Sequence, residues 1–262
     1  MPGVELELLT SAEAGRLASE GRVVGLIGTG AVEQHGPHLP LGTDAIIARH
    51  LAAEVAARLR ETVLVAPVLP GGMSAHHLAF PGTVDLGGDL FAGYLRALLS
   101  AMDRLGIRDV ALFSAHGGNF GRLADVAAEY AGHERLRVIA YADLGRYIEV
   151  MSAAAATTGL AAVACDAHAG ALETSQMLFL RGAERISVPA GLEGYVAAEP
   201  GWMDRLAEGI DALSANGVVG RPADATAEAG AAICAALADA IAAWMADELG
   251  LERPRVAATT GP

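Results

Sequence analysis

At 262 residues, 53% of them hydrophobic and 19% charged, the chain is too apolar to be disordered and long enough for one large domain over residues 1–262. Its net charge of −13, from 31 acidic and 18 basic residues, repels phosphate backbones and anionic lipid, so neither nucleic acid nor a membrane surface is expected as a partner. No run of about 18 uncharged apolar residues occurs; residues 229–246 come nearest, are interrupted by Asp239, and read as a buried Ala-rich helix.

In chain order, residues 1–10 carry Glu5 and Glu7 and no basic residue, so no secretory signal is expected and the cytoplasm is the expected compartment. Residues 11–20 read as a short helix capped by Ser11. Residues 22–27, RVVGLI, form a strand so continuously apolar that both its faces should be buried. The loop 30–44, GAVEQHGPHLPLGTD, leads into a helix that runs to about residue 60, with Thr43 or Asp44 able to cap it. A second strand spans 62–66, and 69–83, LPGGMSAHHLAFPGT, is a second turn-rich loop.

An amphipathic helix follows at 88–105 and a strand at 109–114; His116-Gly-Gly-Asn119 then turns into a helix over 120–133. A strand at 136–141 and a helix at 144–156 come next, and Asp166-Ala-His-Ala-Gly170 opens a helix over 171–181. Residues 190–200 read as a surface loop, 201–217 as helix, 223–249 as a long Ala-rich helix, and the tail from 251 as frayed. Alternating strands and helices specify an α/β fold with a mostly parallel sheet covered on both faces. Ligands of such sheets sit outside the carboxyl ends of the strands, where the loops at 28–44, 70–85 and 116–119 should converge.

The central loop carries Glu33, His35, His38 and Asp44, stiffened by Gly36, Pro37, Pro40 and Gly42. Carboxylates and imidazoles on a rigid loop suit divalent ions such as Zn or Mn. The plainer reading makes Asp44 a helix cap and His35 a surface residue. Gly25-Leu-Ile-Gly-Thr-Gly30 follows a strand as a dinucleotide-binding loop does, but no helix opens on its last glycine. In His116-Gly-Gly-Asn119 the glycines allow close backbone approach to a ligand, and Asn119 can cap the next helix; the plainer reading is a strand-to-helix turn.

His168 and Glu173 reach one mouth if His168 precedes a helix and Glu173 lies in its first turn, where the helix dipole also favours it. The sequence does not choose which of His76 and His77 faces the site. His38 reads as a support behind the ligands, and His50 and His133 as packing or surface residues within helices. Cys165 and Cys234 form neither a CxxC nor a disulfide framework, and Cys165 reads as structural rather than nucleophilic.

Together these segments resemble the creatininase family of metal-dependent amidohydrolases. The matching residues are Glu33-Gln-His-Gly-Pro-His-Leu-Pro with Thr43-Asp44, His77 with Phe80-Pro-Gly-Thr83, His116-Gly-Gly-Asn119, and His168-Ala-Gly with Glu173-Thr-Ser. The resemblance implies a three-layer α/β/α sandwich, two divalent metal ions (Zn, Mn or Fe) and a homo-oligomer, often a hexamer. It further implies that Glu33 and His116 bind one metal, His35 the other, and Asp44 bridges them. His168 would handle substrate or carry a proton to the leaving nitrogen, with His77, Gly117 and Asn119 also facing substrate.

Two positions depart from creatininase. A glutamate two residues after the ligand histidine, a ligand of the second metal, is replaced here by Gly118, and Glu173 is the candidate substitute as ligand and catalytic group. A tryptophan four residues before the His168 position is replaced by Ala164, which argues against creatinine as substrate. The expectation is a dinuclear metal-dependent hydrolase of a C–N bond in a small cyclic or formylated, non-peptide amide. The runner-up is a peptidase trimming a cofactor-precursor peptide; a non-catalytic metal- or ligand-binding relative is the third reading.

Overall fold

A computed structural model describes residues 3–19 and 21–252. Its strands are β1 (Val4–Glu5), β2 (Val23–Thr29), β3 (Thr62–Val65), β4 (Asp109–Ser114) and β5 (Arg137–Ala140). They pair in the order β1-β3-β2-β4-β5, every pair parallel. β2 is central and buried along its whole length, as its unbroken apolar run requires.

Successive side chains point to opposite faces, so one strand feeds two cores. Val24 and Leu26 of β2, with Ala111 and Phe113 of β4, pack under α2 (Thr43–Arg58), α5 (Leu144–Thr157), α6 (Ala171–Arg181) and α8 (Ala227–Leu249). Ile27, Leu64, Val110 and Leu112 face the other layer, built from α1 (Ser11–Ser19), α3 (Gly87–Leu105) and α4 (Phe120–Glu129). Each fully buried Leu, Ile or Phe here contributes about 1.5–3 kcal/mol. The result is the three-layer sandwich expected. By length and composition α8 could cross a membrane, but it packs on α2, α5 and α6 with Ile233, Leu237, Ile241 and Met245 fully buried.

Several boundaries move for identifiable reasons. Thr10, not Ser11, caps α1: its hydroxyl accepts from Glu13 N–H at 3.3 Å while the Glu13 carboxylate accepts from Thr10 N–H at 2.7 Å. Glu20, expected to end that helix, lies outside the described residues. Neither Thr43 nor Asp44 caps α2; the Thr43 hydroxyl donates to the Pro40 carbonyl at 2.8 Å. The helix expected over 201–217 reduces to α7 (Trp202–Glu208) and a single turn at Ile210–Ala212, because Gly209 breaks it in extended backbone. α8 starts at Ala227 because Thr226 caps it, accepting from Ala229 N–H at 3.1 Å. Leu251 is packed rather than frayed, and residues 253–262 lie outside the described residues.

Candidate active site

The loops after β2, β3 and β4 are stitched together at the carboxyl end of the sheet. Gly30 N–H donates to the Leu69 carbonyl at 3.0 Å and Val84 N–H to that of Val32 at 2.8 Å. Asn119, fully buried, ties three strand ends: its amide donates to Gly30 O at 3.0 Å, Ser114 Oγ at 3.2 Å and Thr29 Oγ1 at 3.3 Å, and its oxygen accepts from Met73 N–H at 3.0 Å. It therefore does not cap α4, and its carboxamide is buried among the loops rather than presented to a substrate. Before α6, Ala169 adopts φ 52, a left-handed conformation costing a non-glycine residue about 1–3 kcal/mol. Its N–H donates to Glu173 Oε2 at 2.6 Å, which turns His168 and Glu173 toward the same centre.

At that centre Glu33, Asp44, His35 and His116 are almost wholly buried. His35 Nε2 lies 3.1 Å from Asp44 Oδ1 and 3.7 Å from Glu173 Oε2. His116 Nδ1 lies 3.3 Å from Asp44 Oδ2 and 3.2 Å from Glu33 Oε1. Asp44 thus stands between two clusters. Each imidazole donates its other N–H to a backbone carbonyl, His35 Nδ1 to Glu33 at 3.1 Å and His116 Nε2 to Met73 at 3.1 Å. This is the orientation that outer-shell bonds impose on metal-binding histidines. Both Glu33 oxygens and Asp44 Oδ2 are buried and accept no hydrogen bond. Buried carboxylate oxygens left without a hydrogen bond are costly, so this donor set fits a divalent cation. Glu33, His35 and Asp44, and likewise His35, His168 and Glu173, bring ligand atoms within 4.8 Å of one another.

Burial disfavours charge on every group here, yet opposite neighbours outweigh it at four of them. Against burial, His35 and His116 hold Asp44 well below the carboxylate range, and His116 lowers Glu33. Against burial, Asp44 then Glu173 push His35 up to about 10, and Glu33 with Asp44 raises His116 well above the usual histidine range. Burial prevails at Glu173, which rises to about 7. Burial and neighbouring imidazoles lower His77 to about 3 and His168 well below its ordinary value. Without a metal ion, His35 and His116 serve as the counter-cations of the carboxylates.

Of the two adjacent histidines, His77 faces the cluster, its Nε2 3.3 Å from Glu33 Oε1, while half-buried His76 stacks on His116 at 5.8 Å between centroids. His168 Nδ1 is 3.7 Å from the same Glu33 oxygen. Gly117 is exposed at the rim. His38 stands behind the ligands, its Nε2 2.8 Å from Thr174 Oγ1 beside Glu173. A side chain at Gly118 would collide with the Met73 carbonyl and the His116 ring, so the position where creatininase carries its glutamate is closed here. Glu173 reaches the cluster from α6, its Oε2 3.7 Å from His35 Nε2. Reading the residues singly missed Gln34, which bonds to His77 and Gly36; its place between two candidate ligand residues was the available signal.

The family model described as "Creatininase: Creatinine amidohydrolase" matches residues 7–245. A mycofactocin precursor peptide peptidase of Mycobacterium tuberculosis (strain CDC 1551 / Oshkosh) is 32% identical over 263 residues, covering 93% of this chain and 94% of that protein. A creatinine amidohydrolase of Pseudomonas putida is 29% identical over 116 residues, 42% of this chain and 44% of that one. Among solved structures, one described as "Creatininase Mn" superposes with a TM-score of 0.73 at 24% identity, covering 94% of this chain and 98% of that chain. A putative creatinine amidohydrolase from Bacteroides fragilis gives 0.69 at 24% identity, covering 92% and 94%. With the family pattern matched along nearly its whole length and the fold shared, the chain belongs to the creatininase family.

Proposed function

We propose that this chain is a dinuclear metal-dependent hydrolase that cleaves a C–N amide bond in a short precursor peptide. The carrying observation is that both Glu33 oxygens and Asp44 Oδ2 are buried without a hydrogen bond, with Glu33 Oε1 and Asp44 Oδ2 lying 3.2 and 3.3 Å from His116 Nδ1. Glu33, Asp44 and His116 would hold one cation; His35, Asp44 and Glu173 would hold the other. Ions held there would supply Lewis acidity toward the amide carbonyl and would bring the pKa of a bound water toward neutrality. His168, whose Nδ1 lies 3.7 Å from Glu33 Oε1, would take the proton that the attacking water loses and return it to the leaving nitrogen. The C–N bond breaks as the new C–O bond is completed, consuming one water and releasing acid and amine.

Small cyclic or formylated amides led the sequence expectation; three observations support placing peptides first. The relatives matching most of the chain are peptidases by name. Ala164, where creatininase has a tryptophan, is small and exposed. An open surface recess lined by Tyr141, Asp143, Leu144, Arg146 and Trp244 lies beyond the rim, with Leu144 3.8 Å from where a Cβ on Gly117 would be.

The test incubates Zn- or Mn-loaded enzyme with short precursor peptides, creatinine and an N-formyl amide, with products followed by mass spectrometry. Peptide cleavage at one bond, lost with chelator and restored by metal, is expected. Turnover of only the small amides would restore the non-peptide reading. Metal bound with no turnover of any would favour a binding protein.

A further inference from the structure

Gln34, 5% exposed, lies against both His77 and His168. Gly36 N–H donates to its Oε1 at 3.0 Å, which fixes the nitrogen end of the carboxamide. That nitrogen lies 2.9 Å from His77 Nδ1 and 3.2 Å from the Gly217 carbonyl, two acceptors for its two N–H groups. His77 Nδ1 is therefore bare and its proton sits on Nε2, 3.3 Å from Glu33 Oε1.

The same residue fixes His168 in the opposite sense. His168 Nε2 is 2.7 Å from the Gln34 backbone carbonyl, which can only accept, so Nε2 carries the proton. In a ring that carries its one proton there, the bare nitrogen is Nδ1, 3.7 Å from the same Glu33 oxygen. The 3.0 Å approach of Gln34 Nε2 to His168 Nε2 brings two donors together and forms no hydrogen bond. The two rings stand 4.4 Å apart, centroid to centroid. Thr83 holds the arrangement, accepting from Gln34 N–H at 3.1 Å and donating to the His77 carbonyl at 3.2 Å. Gly217, at φ 73, completes the seat, and any Cβ there would collide with the Gln34 oxygen.

We infer that Gln34 is a positioning residue that sets the polarity of the site, presenting His77 as an N–H donor and His168 as a lone-pair acceptor side by side at Glu33. Amide hydrolysis uses both: a donor for the carbonyl oxygen as negative charge develops, and an acceptor for the proton that passes from water to nitrogen. The kinetic consequence rests on the hydrolase reading; the proton positions do not.

The test uses Zn-loaded enzyme with isotope-labelled histidine, in which long-range proton–nitrogen correlation spectra show which ring nitrogen is protonated. His77→Gln and His168→Gln assign the signals. Both rings should carry the proton on Nε2 in the wild type. Gln34→Glu keeps the shape and the bond to Gly36 but offers His77 an acceptor, so its proton should move to Nδ1 while His168 is unchanged. On a turned-over amide, kcat should fall about 10–100-fold with metal content unchanged and KM little affected, as for other outer-shell substitutions. Gln34→Met, which offers neither partner, should leave His77 as a mixture of tautomers. A wild-type His77 protonated on Nδ1, or one unmoved by Gln34→Glu, overturns the inference. If the wild type hydrolyses no amide, the hydrolase reading fails while the spectra still decide the proton positions.

Discussion

Asp44→Asn keeps the shape of the side chain and removes the charge that both candidate cation positions share. Asp44 is 1% exposed, with one oxygen 3.1 Å from His35 and the other 3.3 Å from His116, so no other carboxylate can take its place between them. Binding at free metal 100 times Kd stabilises a folded protein by about 2.7 kcal/mol. At about 2–4 °C per kcal/mol for a domain of this size, wild-type Tm should rise about 5–10 °C between chelator and that metal concentration. In Asp44→Asn the rise should vanish at the same concentration, and turnover with it, while circular dichroism stays that of the folded chain. Thermal melts with and without Zn, paired with metal analysis of the purified protein, read this directly. A variant that retains both the metal-dependent rise and wild-type turnover would refute the shared-carboxylate reasoning.

Three further outcomes follow from the geometry. Glu173→Ala should lower bound metal from two ions per chain to one, and adding Gly118→Glu should not restore it. A side chain at Gly118 meets the Met73 carbonyl and should instead cost about 1–3 kcal/mol, seen as a lower urea midpoint. Asn119→Ala should destabilise the fold by about 1–3 kcal/mol, because it orphans the buried Gly30 carbonyl and Met73 N–H; an unchanged midpoint with raised KM would show a substrate contact instead. Burial raises the Cys165 thiol and pushes that of Cys234 up to about 11, so neither should react with Ellman's reagent at pH 8 until the chain is unfolded.

Local pattern was enough to locate most of the elements and half of the site. The apolar run at 23–27 read as a strand buried on both sides, as β2 is, and glycines and prolines after it marked a rigid loop at the ligand end of a parallel sheet. Glu33, His35 and Asp44 share that one loop and the start of its helix, so short-range spacing already brought them together. Capping was less legible, because Thr10 competes with Ser11, and its reciprocal bond with Glu13 shows only in the folded turn.

The remaining features depend on contacts between segments far apart in the chain. Packing of α6 between α2 and α8 brings Glu173 to 3.7 Å from His35, a meeting that no spacing rule predicts. The choice of His77 over His76 follows from a single turn at Ala75–His77 that aims one ring at Glu33 and the other at the rim. The diversion of Asn119 from substrate contact to loop anchor likewise awaited the packing of β2 against β4. The sequence alone therefore determined the layers, the parallel sheet and the end of it where chemistry would sit. Only tertiary structure decided which polar groups share a buried centre, because hydrogen bonds and charges act over a few ångströms and the chain reaches those distances only once its helices have docked.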